Sequence, residues 1–408
     1  EIIDDDVSVR RHLQVALMHV AVKIPVPQRV VEDRHFLQEV QDELDQLTQT
    51  IYALAGQEFN LRSSQQMAQV LFEDLELPPG RKTPGGVPST SSQVLEGLRN
   101  LHPIIPKILR FRTLEKLRST YLEPLPHKVD TNSRLHTHFN QLATATGRLS
   151  SSGPNLQNIP IRGEFGPRMR QCFVAPNGWR LVAADYSQIE LRVLAHLSQD
   201  PTLLDAFAQG EDIHRRTAAV VMDISTEEVD AEARRQAKTI NFGLLYGMGP
   251  QKLSRELNIS LNAAKTFIQR YFDRLQGVSA FYETIEESAK QHGYVTTWAG
   301  RRRLLPDINS RNTNLAQQAR RMAVNTVVQG SAADIIKMAM IQADRDEELA
   351  TTGARLILQV HDELLLEAPK DNATAAGKRV ASLMSSVADM DVPLAVDWGV
   401  GSNWAEAH

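Results

Sequence analysis

The 408-residue chain has one cysteine, Cys172. That excludes a disulfide framework and a cysteine-rich zinc site, and it fits a reducing compartment. There is no signal peptide and no apolar run long enough to span a bilayer, so a membrane partner is not expected. Net charge is small, −4 from 49 acidic and 45 basic residues, which taken alone speaks against a nucleic-acid partner. An initiating methionine is lacking too, and a chain starting at Glu1 reads as a fragment or an engineered chain. What remains is ordinary for a globular protein: 42% hydrophobic and 23% charged residues, with length for two or three domains or subdomains.

Totals hide distribution. Between Trp298 and Met322 stand Arg301, Arg302, Arg303, Arg311, Arg320 and Arg321 against one acid, Asp307. A second cluster holds Arg234, Arg235 and Lys238, while acids gather in Glu1–Asp6 and Glu39–Asp45. One charge run is usually a solvated face; several separate basic clusters make a polyanion partner plausible.

The first part, to about Asp130, reads as helices. "RHFLQEVQDELDQLTQTIYALAG" keeps a period near 3.6 and stops at Gly56, and "SSQQMAQVLFEDL" opens on Ser63 or Ser64 as N-cap. "LPPGRKTPGGVPSTSS" is a long exposed loop. From Leu135 the character changes. "RLVAADY" reads as a buried strand and "SQIELRVLAHLS" as a helix leaving it; helices follow to about Gln291. The end alternates: a long helix from Leu315 to Leu349, strands in "ARLILQVHDELLLEA", helix "NATAAGKRVASLMSSV" and strand "LAVDWGVG". This order predicts an α+β fold with helices against a late sheet.

Three segments carry chemistry. Asp185 ends the strand "RLVAADY", where a carboxylate can project from a rigid support; the alternative is that Asp185 or Ser187 merely caps the next helix. "ILQVHDELLLE" reads as a hairpin with Asp362 and Glu363 at its tip, or as an ordinary turn. If tip and strand end meet, their carboxylates repel unless a cation sits between them, and oxygen-only ligation favours Mg²⁺ or Mn²⁺. In "RRQAKTINFGLLYG", Arg234, Lys238, Phe242 and Tyr246 recur every four residues and line one helical face. Cations suit phosphates and aromatic rings suit bases, although the rings could be core and the cations solvated. Gly243 inside that helix costs about 1 kcal/mol relative to Ala, and it would permit a close approach.

"DYSQIELR", "RRQAKTINFGLLYG" and "QVHDELLLE", in this order, resemble the three motifs of the family A DNA polymerases. "TATGRLSSSGPNLQNIP", "GEDIHRRTA" and "AVNTVVQGSAADIIK" resemble further family stretches, and the match is closest to the polymerase region of the bacterial type I enzymes. The resemblance is dense from Thr144 onward and looser before it. It implies a right-hand fold: a palm segment over 1–30, a thumb over 31–134, palm over 135–196, fingers over 197–315 and palm again over 316–408.

The same resemblance implies roles. Asp185 and Asp362 would hold two Mg²⁺ ions (Mn²⁺ substituting), with the Tyr186 carbonyl as a further ligand. A primer 3′-hydroxyl would attack the α-phosphate of a deoxynucleoside triphosphate. Arg234 and His214 would grip the triphosphate, Lys238 would donate a proton to pyrophosphate, and Gln188 would join the nucleotide site. Glu190 would be the steric gate against a 2′-hydroxyl. Phe242 would pack on sugar and base, and Tyr246 would stack at the templating position. Arg148, Arg321, Asn325, Gln329 and His361 would meet the duplex minor groove at the primer end, and Arg112 and Lys116 the phosphates. Glu363 would tune the metal site.

Further expectations are a monomer working on primer-template DNA, gap-filling repair and replication, and a bacterial cytoplasm at the nucleoid. An organellar or phage source would read similarly. With no length left for an exonuclease domain, no proofreading is expected. "MHVAVKI" departs from the family, many members having glycine before the valine. A non-catalytic DNA-binding relative would have lost a carboxylate or the lysine, and all are present. An RNA polymerase or reverse transcriptase is the other alternative, against which Glu190 and "TINFGLLYG" favour deoxynucleotides.

Overall fold

The structure is a computed structural model that describes residues 23–25, 30–83 and 85–408, with side chains from Arg34 onward. The palm segment expected over 1–30 and most of "MHVAVKI" lie outside the described residues. The chain divides into two compact units, one of residues 25–135 and one comprising 1–24 and 136–408.

The 25–135 unit is helical. α1 (Val30–Ala55) ends at Gly56, whose φ of +72° suits a residue without Cβ. α2 (Ser64–Gln69) is capped by the Ser63 side chain, which accepts from the Gln66 N–H. α3 (Ser92–Gly97) and α4 (Ile104–Leu117) follow, and Ile104, Ile105, Ile108 and Leu114 of α4 are fully buried. The Pro- and Gly-rich stretch between α2 and α3 carries one isolated bridge, Lys82 to Pro88.

The larger unit is built on a four-stranded antiparallel sheet. Its strands are β1 (Trp179–Tyr186), β2 (Arg355–Val360), β3 (Glu363–Pro369) and β4 (Val396–Gly401), in spatial order β4-β1-β3-β2. Leu364, Leu365 and Leu366 of β3 are completely buried, each contributing ~1.5–3 kcal/mol of burial, so the strand is held on both faces. α5 (Gly166–Gln171) leads into β1, and α6 (Ile189–Ser198) leaves it. A run of helices follows, including α7 (Ile213–Met222), α8 (Ala231–Leu245) and α9 (Gln276–His292). α10 (Thr313–Arg345) spans 33 residues. α11 (Ala373–Ser386) lies flat on the sheet: a Cβ at Gly377 would stand 2.3 Å from the Trp398 ring, so only glycine permits this approach. α12 (Trp404–Ala407) closes the chain.

The sequence reading differs in two places, and in a third the structure adds an element where none was assigned. The long helix breaks at Asp346, which caps a second short helix over 347–351 through its side chain. A small hairpin, 294–296 paired with 302–304, interrupts the stretch before α10. Glu363 is not at the hairpin tip but is the first residue of β3. Among the described residues no helix is long and apolar enough to cross a membrane.

Candidate active site

Register places the carboxylates. In the ladder Asp185 stands directly opposite Glu363 on one side and Asp397 on the other. Directly opposed residues share a face, so three carboxylates form a row across three strands. Asp362 joins them from the hairpin tip, where its carbonyl accepts from the Tyr186 N–H at 3.1 Å. The tip is His361–Asp362. His361 has φ +53°, a left-handed conformation uncommon for a residue with a side chain. Gln359 braces this turn, its Nε2 donating to the His361 carbonyl at 2.5 Å. Neither Asp185 nor Ser187 caps α6; Gln188 occupies that position at φ +57° with no side-chain bond.

This row is electrostatically uncomfortable. Burial first, then Glu363, Asp362 and Asp397, push the Asp185 carboxyl up to about 7, with Arg170 pulling the other way. Burial also raises Asp362, against Arg148. His361 is lowered by burial and then by Arg148 and Arg170.

Glu190 of α6 is 4% exposed and held from two sides. Arg148 Nη2 donates to Oε1 and the Tyr246 hydroxyl donates to Oε2, both at 2.5 Å. Arg148 Nη2 also stands 3.8 Å from Asp362, which ties this network to the carboxylate end. Burial raises the Glu190 carboxyl in spite of Arg148 and Tyr246.

The stripe on α8 is real, and all of its members but Lys238 are engaged. Arg234 Nε donates to Asp212 at 2.6 Å, and the other Asp212 oxygen caps α7 through the His214 and Arg215 N–H groups. His214 is 2% exposed, and burial drops its pKa to about 4, so it is neutral near pH 7. Asn241 Nδ2 lies 3.1 Å from His214 Nδ1; with the amide donating, the ring proton sits on Nε2. Lys238 forms no ion pair or hydrogen bond among the described residues. Phe242 packs its ring 5.6 Å from His214 and stacks 6.4 Å from Tyr246. Gly243 admits Met248, whose Cε would stand 3.0 Å from a Cβ there.

On α10, Arg321, Asn325 and Gln329 follow at intervals of four and share a face. Asn325 Nδ2 donates to the Tyr246 carbonyl at 3.4 Å, and Arg321 packs its chain on Gly247. In the 25–135 unit, Arg112 donates to the Thr90 carbonyl and, at 3.2 Å, to its hydroxyl. Arg112 and Lys116 border an open groove of about 320 Å³ with Arg62, Ser64 and Glu115.

Among the described residues no three His, Cys, Asp or Glu side chains close on one point. The Asp185–Asp362 pair nevertheless fits a hard divalent cation. Its donors are oxygens, and the burial and neighbouring carboxylates that lift Asp185 to about 7 set a penalty on its charge that a cation would relieve.

The sequence profile of DNA polymerase family A matches residues 32–406. The chain belongs to DNA polymerase family A. A thermostable DNA polymerase I of Thermus aquaticus is 50% identical over 372 residues, 90% of this chain and 44% of that protein. DNA polymerase I of Deinococcus radiodurans is 50% identical over 363 residues, 88% of this chain and 38% of that protein. The chain therefore spans less than half the length of these curated relatives. Among solved structures, the POL domain of Pol1 from M. smegmatis, in complex with DNA primer-template and dNTP, superposes with a TM-score of 0.90 at 39% identity, covering 98% of this chain and 70% of that one. The α+β fold read from the sequence is that of this family member.

Sequence reasoning missed Asp212, Asn241, Arg170 and Trp404. Asp212 had a signal, "GEDIH", an aspartate where a helix starts. The other three are ordinary letters in their segments, and only packing makes them polar partners.

Proposed function

We propose that the chain performs template-directed DNA synthesis, extending a primer with deoxynucleoside triphosphates. The observation that carries this reading is the meeting of Asp185 and Asp362 from distant sequence at one end of the central strands, joined through Arg148 and Glu190 to the stripe on α8. The primer's 3′-oxygen bonds to the α-phosphorus, the bond to the bridging oxygen breaks, and pyrophosphate leaves. Asp185, Asp362 and the Tyr186 carbonyl would hold Mg²⁺ or Mn²⁺, which supplies charge neutralisation at the attacking and leaving oxygens.

The chain's own groups do the rest. Arg234 exchanges Asp212 for the triphosphate, and His214 donates one hydrogen bond from Nε2. Lys238, without a partner among the described residues, gives its proton to the departing pyrophosphate. Glu190, fixed by two hydrogen bonds, stands against the sugar, and Gln188 lies at the same helix start. Phe242 covers sugar and base. Tyr246 leaves Glu190 to meet the template. Arg148, Arg321, Asn325, Gln329 and His361 follow the duplex minor groove, where acceptors common to all base pairs permit checking of shape. Arg112 and Lys116 contact phosphates.

A primer-extension assay with wild type and Asp362→Ala tests the proposal. Extension by wild type and none by the variant is expected; full activity in Asp362→Ala removes the metal assignment, and no extension by wild type removes the function.

A further inference from the structure

Behind the carboxylate row lies an arginine that the reaction described above does not use. Arg170, at the end of α5, is 2% exposed, yet no guanidinium nitrogen has a hydrogen-bond partner among the described residues. Its guanidinium lies 4.1 Å from the centroid of the Trp404 ring, and Nη1 is 3.6 Å from Glu363 Oε2. Trp404 Nε1 donates to the other oxygen of Glu363 at 2.7 Å. Trp404 is fully buried and packs edge-on against Phe173. His408 Nδ1 also stands 3.6 Å from Glu363 Oε2. Both oxygens of Glu363 are thus engaged from α5 and the C-terminal turn.

Glu363 is directly opposite Asp185, and Asp397 flanks Asp185 on the other strand. Like charges directly opposed destabilise a ladder, and a buried carboxylate left without a cation beside it is strongly destabilising. Without Arg170, Glu363 keeps the Trp404 donor and His408 but loses its one permanent charge, and a cation bound beside its ladder partner Asp185 is the charge it can turn to. The proposal rests on reading the Asp185–Asp362 pair as a divalent-cation site. We propose that Arg170 is a positioning residue for that site: clamped on Trp404, it holds Glu363 back and thereby limits the number of carboxylates a cation meets.

This predicts an unusual pairing of effects. Arg170→Met frees Glu363 to join the pair, so the free protein should bind Mn²⁺ about fivefold more tightly, the effect of one extra charge some 4 Å away in high dielectric. The cation would then sit in the wrong place, and single-turnover extension should slow by about 10²-fold, with little change in KM for the nucleotide. Arg170→Lys keeps the charge and should retain near-wild-type Mn²⁺ affinity. The double variant Arg170→Met with Glu363→Gln should return Mn²⁺ affinity to the wild-type level.

The measurement is Mn²⁺ binding by electron paramagnetic resonance on the full chain without DNA or nucleotide, beside circular dichroism for folding. Trp404→Phe, which removes the donor to Glu363 with little loss of packing, should tighten Mn²⁺ binding in the same direction and carries the test if Arg170→Met does not fold. Folded Arg170→Met and Trp404→Phe with unchanged or weaker Mn²⁺ affinity overturn the proposal, as does a double variant that stays as tight as Arg170→Met. Failure of wild type to extend a primer would sink the polymerase reading instead, so the two failures are separable.

Discussion

The carboxylate end of the site and the α8 stripe are prepared in opposite ways. Asp185 and Asp362 are placed by backbone: ladder register, a braced turn and strands buried on both faces. The stripe is placed by a helix, but two of its polar side chains are occupied, Arg234 by Asp212 and Tyr246 by Glu190. One half is laid down as the chain folds and is crowded with carboxylates. The other half is partly satisfied internally, and on the proposed reading a nucleotide must replace contacts that Arg234 and Tyr246 already make.

The sharpest break in this comparison is at the backbone-placed end. Asp185→Ala should lower single-turnover primer extension by about 10³-fold or more, several kcal/mol of charge stabilisation, with secondary structure intact. Loss of less than tenfold would place the chemistry elsewhere. On the side-chain-placed end, Lys238→Ala should slow the chemical step by about 10²-fold with a small change in nucleotide KM. A variant that raises KM alone would make Lys238 a binding group.

Glu190→Ala opens the sugar contact and should raise ribonucleotide use by about tenfold or more, read as a ratio of kcat/KM values. Unchanged selectivity would assign Glu190 to holding Arg148 and Tyr246 only. Phe242→Tyr adds a hydroxyl beside the sugar and should raise dideoxynucleotide use by about tenfold, one hydrogen bond's contribution; unchanged terminator use removes that assignment.

The smallest effect is one of pH. Asp185 is raised to about 7 from an ordinary 3.8. Its folded pKa lies above its unfolded one, so the folded chain keeps a proton that the unfolded chain has released. That contribution is full below the unfolded value and is lost as pH rises toward the folded one. A cation that replaces the proton should therefore raise Tm by a few degrees more at about pH 8 than at about pH 5.5. Equal Mg²⁺ shifts at both pH values would detach Asp185 from the cation.

The sheet was legible because its strands are short oily runs between turn residues, and α8 because a spacing of four is a helical signature. Asp185 and Asp362 stood out as charges in oil. What could not be read was which internal partner each polar group takes. Glu363 follows Asp362 by one residue, and that single step puts it inside β3, under Trp404 rather than at the tip. Arg170 sits in "GPRMRQCF", where nothing marks it as buried and its neighbour Arg168 as something else. The break at Asp346 was invisible because its flanks are good helix formers; it becomes clear only when its carboxylate accepts from the Leu349 N–H. Periodicity reports which face is apolar, whereas these facts depend on the particular partner each polar group takes, three residues away for Asp346 and 41 away for Glu363.

α10 has a consequence of its own. Its 33 residues make a shaft of about 50 Å. Toward its start Ala319, Ala323 and Val327 seat on α9 and the hairpin of 294–304; beyond the middle Ile335, Ala339 and Met340 seat in the main core. Arg321, Asn325 and Gln329 ride on that one shaft, so their mutual phase is fixed by counting residues and not by local contacts. A single residue inserted after Gly330 would turn all three together by about 100° while the sheet and its carboxylates stayed in place. The instrument would keep its cutting edge and lose its gauge.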